Sequence, residues 1–562
     1  AIGSYALDAT SDNAQTGVIA IGHQSLTALT SGGYNTAIGY KSLEDNQTGA
    51  YNTAVGYNSL ANTTNNYNTA VGYASLISTV GGGGNTAVGH ESLYANATTS
   101  NNTGIGYQAG FYTTGASNTY VGHSAGKGAA GAETHNTGVG ANALLKITDG
   151  GFNVAIGSRS GEDLTTGDQN TFVGDYAGHT GSTLNKCVAV GHEALGSGTP
   201  TGEGSVAVGF QALAVCAGGV GNTGVGFKAG QLLAAGQANT VIGYESLFTE
   251  DVGTGTTAIG YRACYYQNSD DSDEATGNTA VGYAAMHINV DGQFNTAVGY
   301  QALHDMEPAG DNTGHNTGLG FKAGKYISTG LDNTFVGANA GEGIVGTKLT
   351  GNSNTAIGSS AGVELEGAAH SNTFVGTLAG NTTEAGVENT CLGYNTEAQD
   401  DTATNQIVIG NNLIGTKDNA VFIGNDSSHI ENDFNSDATW NHSSDRRQKT
   451  DIKDETLGLE FINDLRPVTY KHKSPSEFPK EWDSYDADDK EPMGGDKTIH
   501  GFIAQEVKEA MDNAGVDTFQ GWSDGKDGRQ RVSFEAMVMP LIKSVQELSS
   551  KVEDLEKQLK DK

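Results

Sequence analysis

Cysteine and proline are scarce in this 562-residue chain, with four and seven copies, and basic residues are few. The four cysteines (Cys187, Cys216, Cys264 and Cys391) lie far apart without metal-type spacing, which excludes a disulfide-built scaffold and a zinc module. Cys264 and Cys391 fall where neighbouring repeats carry Leu, Ala or Phe, so small buried hydrophobes are expected there. Glycine reaches 82 copies beside so little proline, which excludes collagen and proline-rich disorder. No apolar run approaches the roughly 20 residues that a membrane-crossing helix needs. Up to Ser444 the chain has 11 Lys+Arg against 38 Asp+Glu, and from Asp445 onward 19 against 26, for a net charge of −34. An acidic array of this kind suits a soluble particle and is a poor partner for nucleic acid or anionic membranes.

What is abundant is a repeat. Its core is N-T-[AGF]-[VI]-G-[YFH]-x-[SA]-[LG], seen in NTAIGYKSL (Asn35 to Leu43) and NTAVGYQAL (Asn295 to Leu303). Its glycine recurs 25 times from Gly3 to Gly424, and 14 of the 24 intervals are 17 residues. Spacing-two alternation, as in Val188 and Val190 or Val206 and Val208, predicts short strands with those residues inward. Asn, Thr, Gly and Ser fill the remainder with turn chemistry. One such unit cannot bury its apolar face alone but a stack can, so residues 1–425 read as a mainly β solenoid. The glycine suits a corner of positive φ or close backbone approach. Asn35, Asn52, Asn68 and Asn85 are expected to form a hydrogen-bonded ladder. The very small residues Ala37, Ala54, Ala70, Gly104, Gly138 and Gly224 are expected on a second close-packed surface, between chains.

These repeats resemble the N-[ST]-[VT]-A-[IV]-G-x-x-[SA] units of trimeric autotransporter adhesin heads, and are similar to NTAVG-type repeats of phage tail fibres. The resemblance implies a trimeric β-roll. Glycine-rich stretches such as GVGFKAG (Gly224 to Gly230) follow the repeat rather than a dinucleotide loop, and GHSAGKG (Gly122 to Gly128) lacks P-loop spacing. His23, His90, His123 and His192 occupy the slot of Tyr or Phe and read as ring-for-ring replacements. The acidic run at Asp270, Asp271, Asp273 and Glu274 lacks the ligand spacing of a calcium loop. No cofactor and no metal are expected. Three insertions (Tyr265 to Gly277, His304 to His315, Glu342 to Ser353) are candidate receptor loops.

After Gly424 the pulse stops, and residues 426–443 read as a polar neck with one large aromatic, Trp440. Then come SDRRQKTDI (Ser444 to Ile452), GLEFINDLRPVTYKHK (Gly458 to Lys473), HGFIAQEVKEAM (His500 to Met511) and a terminal segment from Val532 to Leu559. Leu541, Val545, Leu548, Val552, Leu555 and Leu559 alternate at spacings of four and three, a coiled-coil seam over about residues 534–562. A serine hydroxyl needs a nearby base to become a nucleophile, and Lys449, five residues after Ser444, can serve if burial favours its neutral form.

In this order the motifs resemble the C-terminal intramolecular chaperone and autoprocessing domain of phage tailspikes, endosialidases and tail fibres, with signature S-D-x-R-L-K-x-x-I and then G-[LF]-I-A-Q-E-V. Gln448 stands where the signature has Leu. The resemblance covers residues 444–562 and implies Ser444 as nucleophile, Lys449 as base, and a cut between Ser444 and Asp445. His500 and Glu506 are candidate supporting residues. Attack by Ser444 on its own carbonyl requires a four-membered ring and attack on the Ser443 carbonyl a five-membered one, so the bond remains open on chemistry alone. The expectation is a homotrimeric host-attachment fibre in a virion, made in the host cytoplasm. A small α/β domain directs its trimerisation and leaves by a single-turnover serine proteolysis. Expected partners are a host surface glycan or protein and, through a segment before Ala1, other tail proteins. The rivals are a bacterial trimeric surface adhesin and a polysaccharide-depolymerising tailspike.

Overall fold

The computed structural model describes the chain except residues 10–15, 130, 199–201, 270–274, 307–313, 435–440, 443, 481, 483, 493–495 and 526–527. Asp270, Asp271, Asp273, Glu274, Trp440 and Ser443 therefore lie outside the described residues. The chain divides into two compact units, Ala1–Ser443 and Ser444–Lys562.

In the first unit, strands run from β1 (Ile19–Ile21) to β24 (Ala420–Asn425), most of them three residues long. Each pairs in parallel with the next along the chain, and the register repeats: Thr36 lies beside Thr53, Ala37 beside Ala54, Ile38 beside Val55. This is a β-solenoid with one short strand column and turns for the rest of each coil. β24 folds back antiparallel onto β25 (Ser428–Asp433), which pairs with β26 (Asn441–His442).

Two backbone devices set the pitch. Gly39 has φ 140°, and a Cβ on it would sit 2.2 Å from the carbonyl oxygen of Gly56 in the next coil. Both the torsion and the approach exclude a side chain. The asparagine ladder supplies the second device. The amide N of Asn52 donates to Asn35 Oδ1 at 2.9 Å, while Asn52 Nδ2 donates to the carbonyl of Asn65 at 2.8 Å. The pattern recurs, interrupted where Cys187, Ser205 and Thr256 replace the asparagine, as far as Gln406 on Asn389. Each of these buried amides is satisfied, as burial demands.

The structure reverses the sequence reading of the two strand faces. Ala37, Ala54, Ala70 and Ala207 are fully buried inside the coil, whereas Val206 and Val208 face outward and are half-buried. The interior is narrow and is filled from the opposite wall by the leucine of the turn. Leu43 (φ 54°) and Leu60 (φ 50°) adopt the left-handed conformation and are fully buried. That conformation costs about 1–2 kcal/mol, while burying the side chain returns about 1.5–3 kcal/mol. The small residues thus make room for these leucines rather than for another chain.

Where the strand centre is large, the leucine slot is glycine. Phe335, Tyr120, Phe172 and Phe374 are fully buried, and their coils carry Gly341, Gly126, Gly178 and Gly380 in that slot. A Cβ on Gly341 would meet the Phe335 ring at 2.3 Å, and one on Gly324, a coil earlier, would meet it at 2.7 Å.

The four histidines stack as rings among rings, His90 lying 4.8 Å from Tyr73 and 5.3 Å from Tyr107. All four cysteines are free and buried. Among the described residues, no group of His, Cys, Asp and Glu has metal-binding geometry, and no helix is long and apolar enough to cross a membrane. Glu133 lies inside the coil at 2 % exposure, and burial pushes its carboxyl up to about 7.

Among the described residues, the second unit has three α-helices and two antiparallel strand pairs. α1 (Leu459–Asp464) is followed by β27 (Val468–Tyr470), which pairs with β28 (Ile499–Gly501). α2 (Ala504–Asn513) buries Val507, Ala510 and Met511 on one face and ends at Gly515, whose φ of 69° stops the helix. After the hairpin β29 (Trp522–Asp524) and β30 (Gln530–Val532) comes α3 (Val538–Lys560). Leu457, Phe461, Val507, Ala510, Met511 and Met537 form the core.

Two outcomes follow. Phe335→Ala is expected to cost about 3–5 kcal/mol through the cavity it leaves, and Gly341→Leu to be destabilising through overlap with the ring. The double variant recreates the Ala–Leu pairing of other coils, so its thermal midpoint should exceed that of either single variant; additive losses would contradict the packing rule. For Glu133 the folded value lies above the ordinary 4.5, so its contribution is fully present below about pH 4.5 and is lost as pH rises through about 7. Glu133→Gln should flatten that part of the midpoint-against-pH curve.

Candidate active site

Asp445 starts a single turn of 3-10 helix, Arg446–Gln448, by accepting the backbone N–H of Arg447 at 2.8 Å. An Asp in this cap position favours a tight turn. The turn reverses the chain enough to bring residues 444 and 449 together. Lys449 Nζ donates to Ser444 Oγ at 2.5 Å, and both side chains are exposed.

Arg447 grips Asp445 with both arms, Nε to Oδ1 at 3.0 Å and Nη2 to Oδ2 at 2.6 Å. The Arg447 guanidinium beside it holds the Asp445 carboxyl below its ordinary value. This pair closes the turn that sets Lys449 against Ser444. Sequence reasoning gave Arg447 no role, although the Asp-x-Arg spacing in a turn signals such a fork–fork contact. Gln448 is exposed at the end of the turn.

The other two candidates stand apart. Glu506, in the first turn of α2, is ion-paired with Arg466, whose guanidinium lowers the carboxyl. His500 lies on β28 opposite Thr469 with its side chain exposed. Among the described residues, neither hydrogen bonds to Ser444 or Lys449. Chemically, the arrangement offers a hydroxyl with an amine in contact and a second pair fixing the turn, the constellation a Ser/Lys nucleophile uses.

α3 has two faces with different uses. Pro540 and Ser544 are its buried residues, and Glu547 Oε2 accepts the N–H of Leu459 at 2.9 Å, tying α3 to the start of α1. A Cβ on Gly458 would lie 2.3 Å from the Glu547 carboxylate, which explains the glycine before α1. An adjacent face, about 100° round the helix, carries Leu541, Val545, Leu548, Val552, Leu555 and Leu559 at 46–73 % exposure. Six large apolar side chains thus stand exposed at heptad spacing, the pattern of a coiled-coil seam.

No curated protein and no solved structure matches the chain. Residues 444–516 match the family model described as the chaperone of endosialidase, which places Ser444, the 3-10 turn, α1 and α2 inside the matched segment. Behind its β-solenoid the chain thus carries an endosialidase-type intramolecular chaperone domain, an arrangement consistent with an endosialidase-type tail fibre.

Proposed function

We propose that this chain is one of three copies of a host-attachment tail fibre, and that its C-terminal unit gathers the copies and then leaves by cutting itself at Ser444–Asp445. The observation that carries this reading is Lys449 Nζ set against Ser444 Oγ at the start of the matched segment. The uncovered seam of α3 supports the gathering role. Val545 and Val552 alternating with Leu541, Leu548 and Leu555 also suit two-stranded coils, so the number three rests on the resemblance of the repeats to trimeric β-rolls.

To act as a base, Lys449 must first lose its proton, and burial beneath a neighbouring chain favours the neutral amine. The amine then takes the Ser444 Oγ proton as the oxygen attacks a carbonyl carbon. The C–N bond breaks, the leaving amine takes that proton from Lys449, and water hydrolyses the ester. Since Ser444 cannot reach its own carbonyl without a four-membered ring, a Ser444–Asp445 cut calls on a group from a neighbouring copy. Assembly therefore supplies both the burial and the missing group, and cleavage reports on completed assembly. The receptor, a host surface glycan or protein, is assigned to the insertions. The one ending at Ser353 has its tip residue Val345 at 72 % exposure.

Intact-mass spectrometry of the expressed chain tests the cut. The wild type should give two species, the smaller corresponding to residues 445–562, while Ser444→Ala and Lys449→Ala should each give one uncut mass. A fragment heavier by one serine would assign the cut to Ser443–Ser444 instead. A single full-length wild-type mass would remove self-cleavage and leave the chaperone role standing.

A further inference from the structure

The stacked coils are an alignment of one chain against itself, and one outward column in it never varies in character. The residue before the pulse glycine is Ile, Val or Leu in all 25 cases, from Ile2 to Ile423. Other outward columns behave differently. The ring slot two residues on is interrupted by Ala141, Ser158, Asp175, Ala338, Ser359 and Thr377. The next position mixes Lys41, Glu91, Arg159 and Glu193 with neutral residues. A solvated column has no reason to exclude polar residues 25 times over.

The column is open in the single chain. Ile38 is 37 % exposed, Ile105 40 %, Ile156 42 %, Leu319 46 % and Leu392 44 %. Strands pair in register from coil to coil, so these side chains form one continuous stripe. At ~4.8 Å per step it extends on the order of 100 Å. With ~40 Å² from each residue it exposes on the order of 1,000 Å² of apolar surface, above the roughly 300–600 Å² that a monomer's largest patch carries.

We propose that this aliphatic column is the face through which copies of the solenoid pack on one another. A surface featureless along its length, but periodic at one coil per step, is matched by another surface of the same pitch, and a second copy has it. The column is uncharged, so copies with a net charge of −34 meet where neither presents a carboxylate. A receptor contacting a few coils would leave the rest free to vary. This inference rests on the multi-chain reading above and assigns its contact surface, replacing the small residues that the sequence suggested.

Thiol labelling tests it on the full chain. The native cysteines are 0–2 % exposed and form a silent background. Ile242→Cys places a thiol in the column, at a site 37 % exposed in one chain, and Gln237→Cys places one at an exposed corner of the neighbouring coil. With native mass spectrometry establishing the assembled state, the Ile242→Cys thiol should react with a maleimide at least tenfold more slowly than the Gln237→Cys thiol. Ile38→Cys repeats the measurement far from the first site, should one substitution disturb folding. An assembled protein whose column thiols label as fast as the corner thiol overturns this inference alone. A wild type that runs as single chains overturns it together with the multi-chain reading.

Discussion

Each coil of the solenoid is finished only by the coil after it. The backbone contact between successive pulse glycines leaves no space for a Cβ, and the asparagine ladder hands each side-chain oxygen to the next coil's amide. These two contacts fix the pitch, and the pitch fixes what fits inside. Where an aromatic ring fills the strand centre, the leucine slot of its own coil and of the coil before it is glycine, as at Gly341 and Gly324 around Phe335; most other coils place a left-handed leucine over an alanine or glycine. Stability is therefore additive along the axis, with each coil contributing its buried leucine or ring and its satisfied amides.

The same regularity creates a problem of register. A copy displaced by one coil against another meets nearly the same residues, because the outward column is aliphatic throughout and most intervals are 17 residues. Little in the array itself penalises the slip. Information about register has to come from a part of the chain that is not periodic, and the C-terminal unit is such a part. Its α3 is tied to α1 through Glu547 and keeps its heptad seam free, so the unit can hold its own fold while offering a surface for other copies. The proposed cut is tied to the same assembly, because the Ser444–Lys449 pair lies exposed at the start of that unit.

Much of the solenoid was legible from the chain: the period, the glycine corners and the asparagine ladder all follow from residue chemistry and spacing. The direction of the strand faces was not. Alternation distinguishes two faces without saying which is inside, and large aliphatics at Val206 and Val208 suggested the wrong one. The decision lies in the width of the coil, which depends on leucines held at positive φ, a conformation that the sequence pattern does not advertise. At the site, the pair Ser444 and Lys449 could be named from a motif, but the turn that joins them depends on the contact between Asp445 and Arg447, to which the motif gave no role. His500 and Glu506 were chosen for their place in a motif. Glu506 answers instead to Arg466, a partner 40 residues away in sequence that no local pattern reveals.

Native and intact mass measured together on Leu548→Asp/Leu555→Asp, which charges the seam while leaving Glu547 and the core of the C-terminal unit in place, test the link between seam, assembly and cleavage most directly. The expected result is loss of the three-chain mass together with loss of the cut. A three-chain, normally cut protein from this variant would contradict the role assigned to α3.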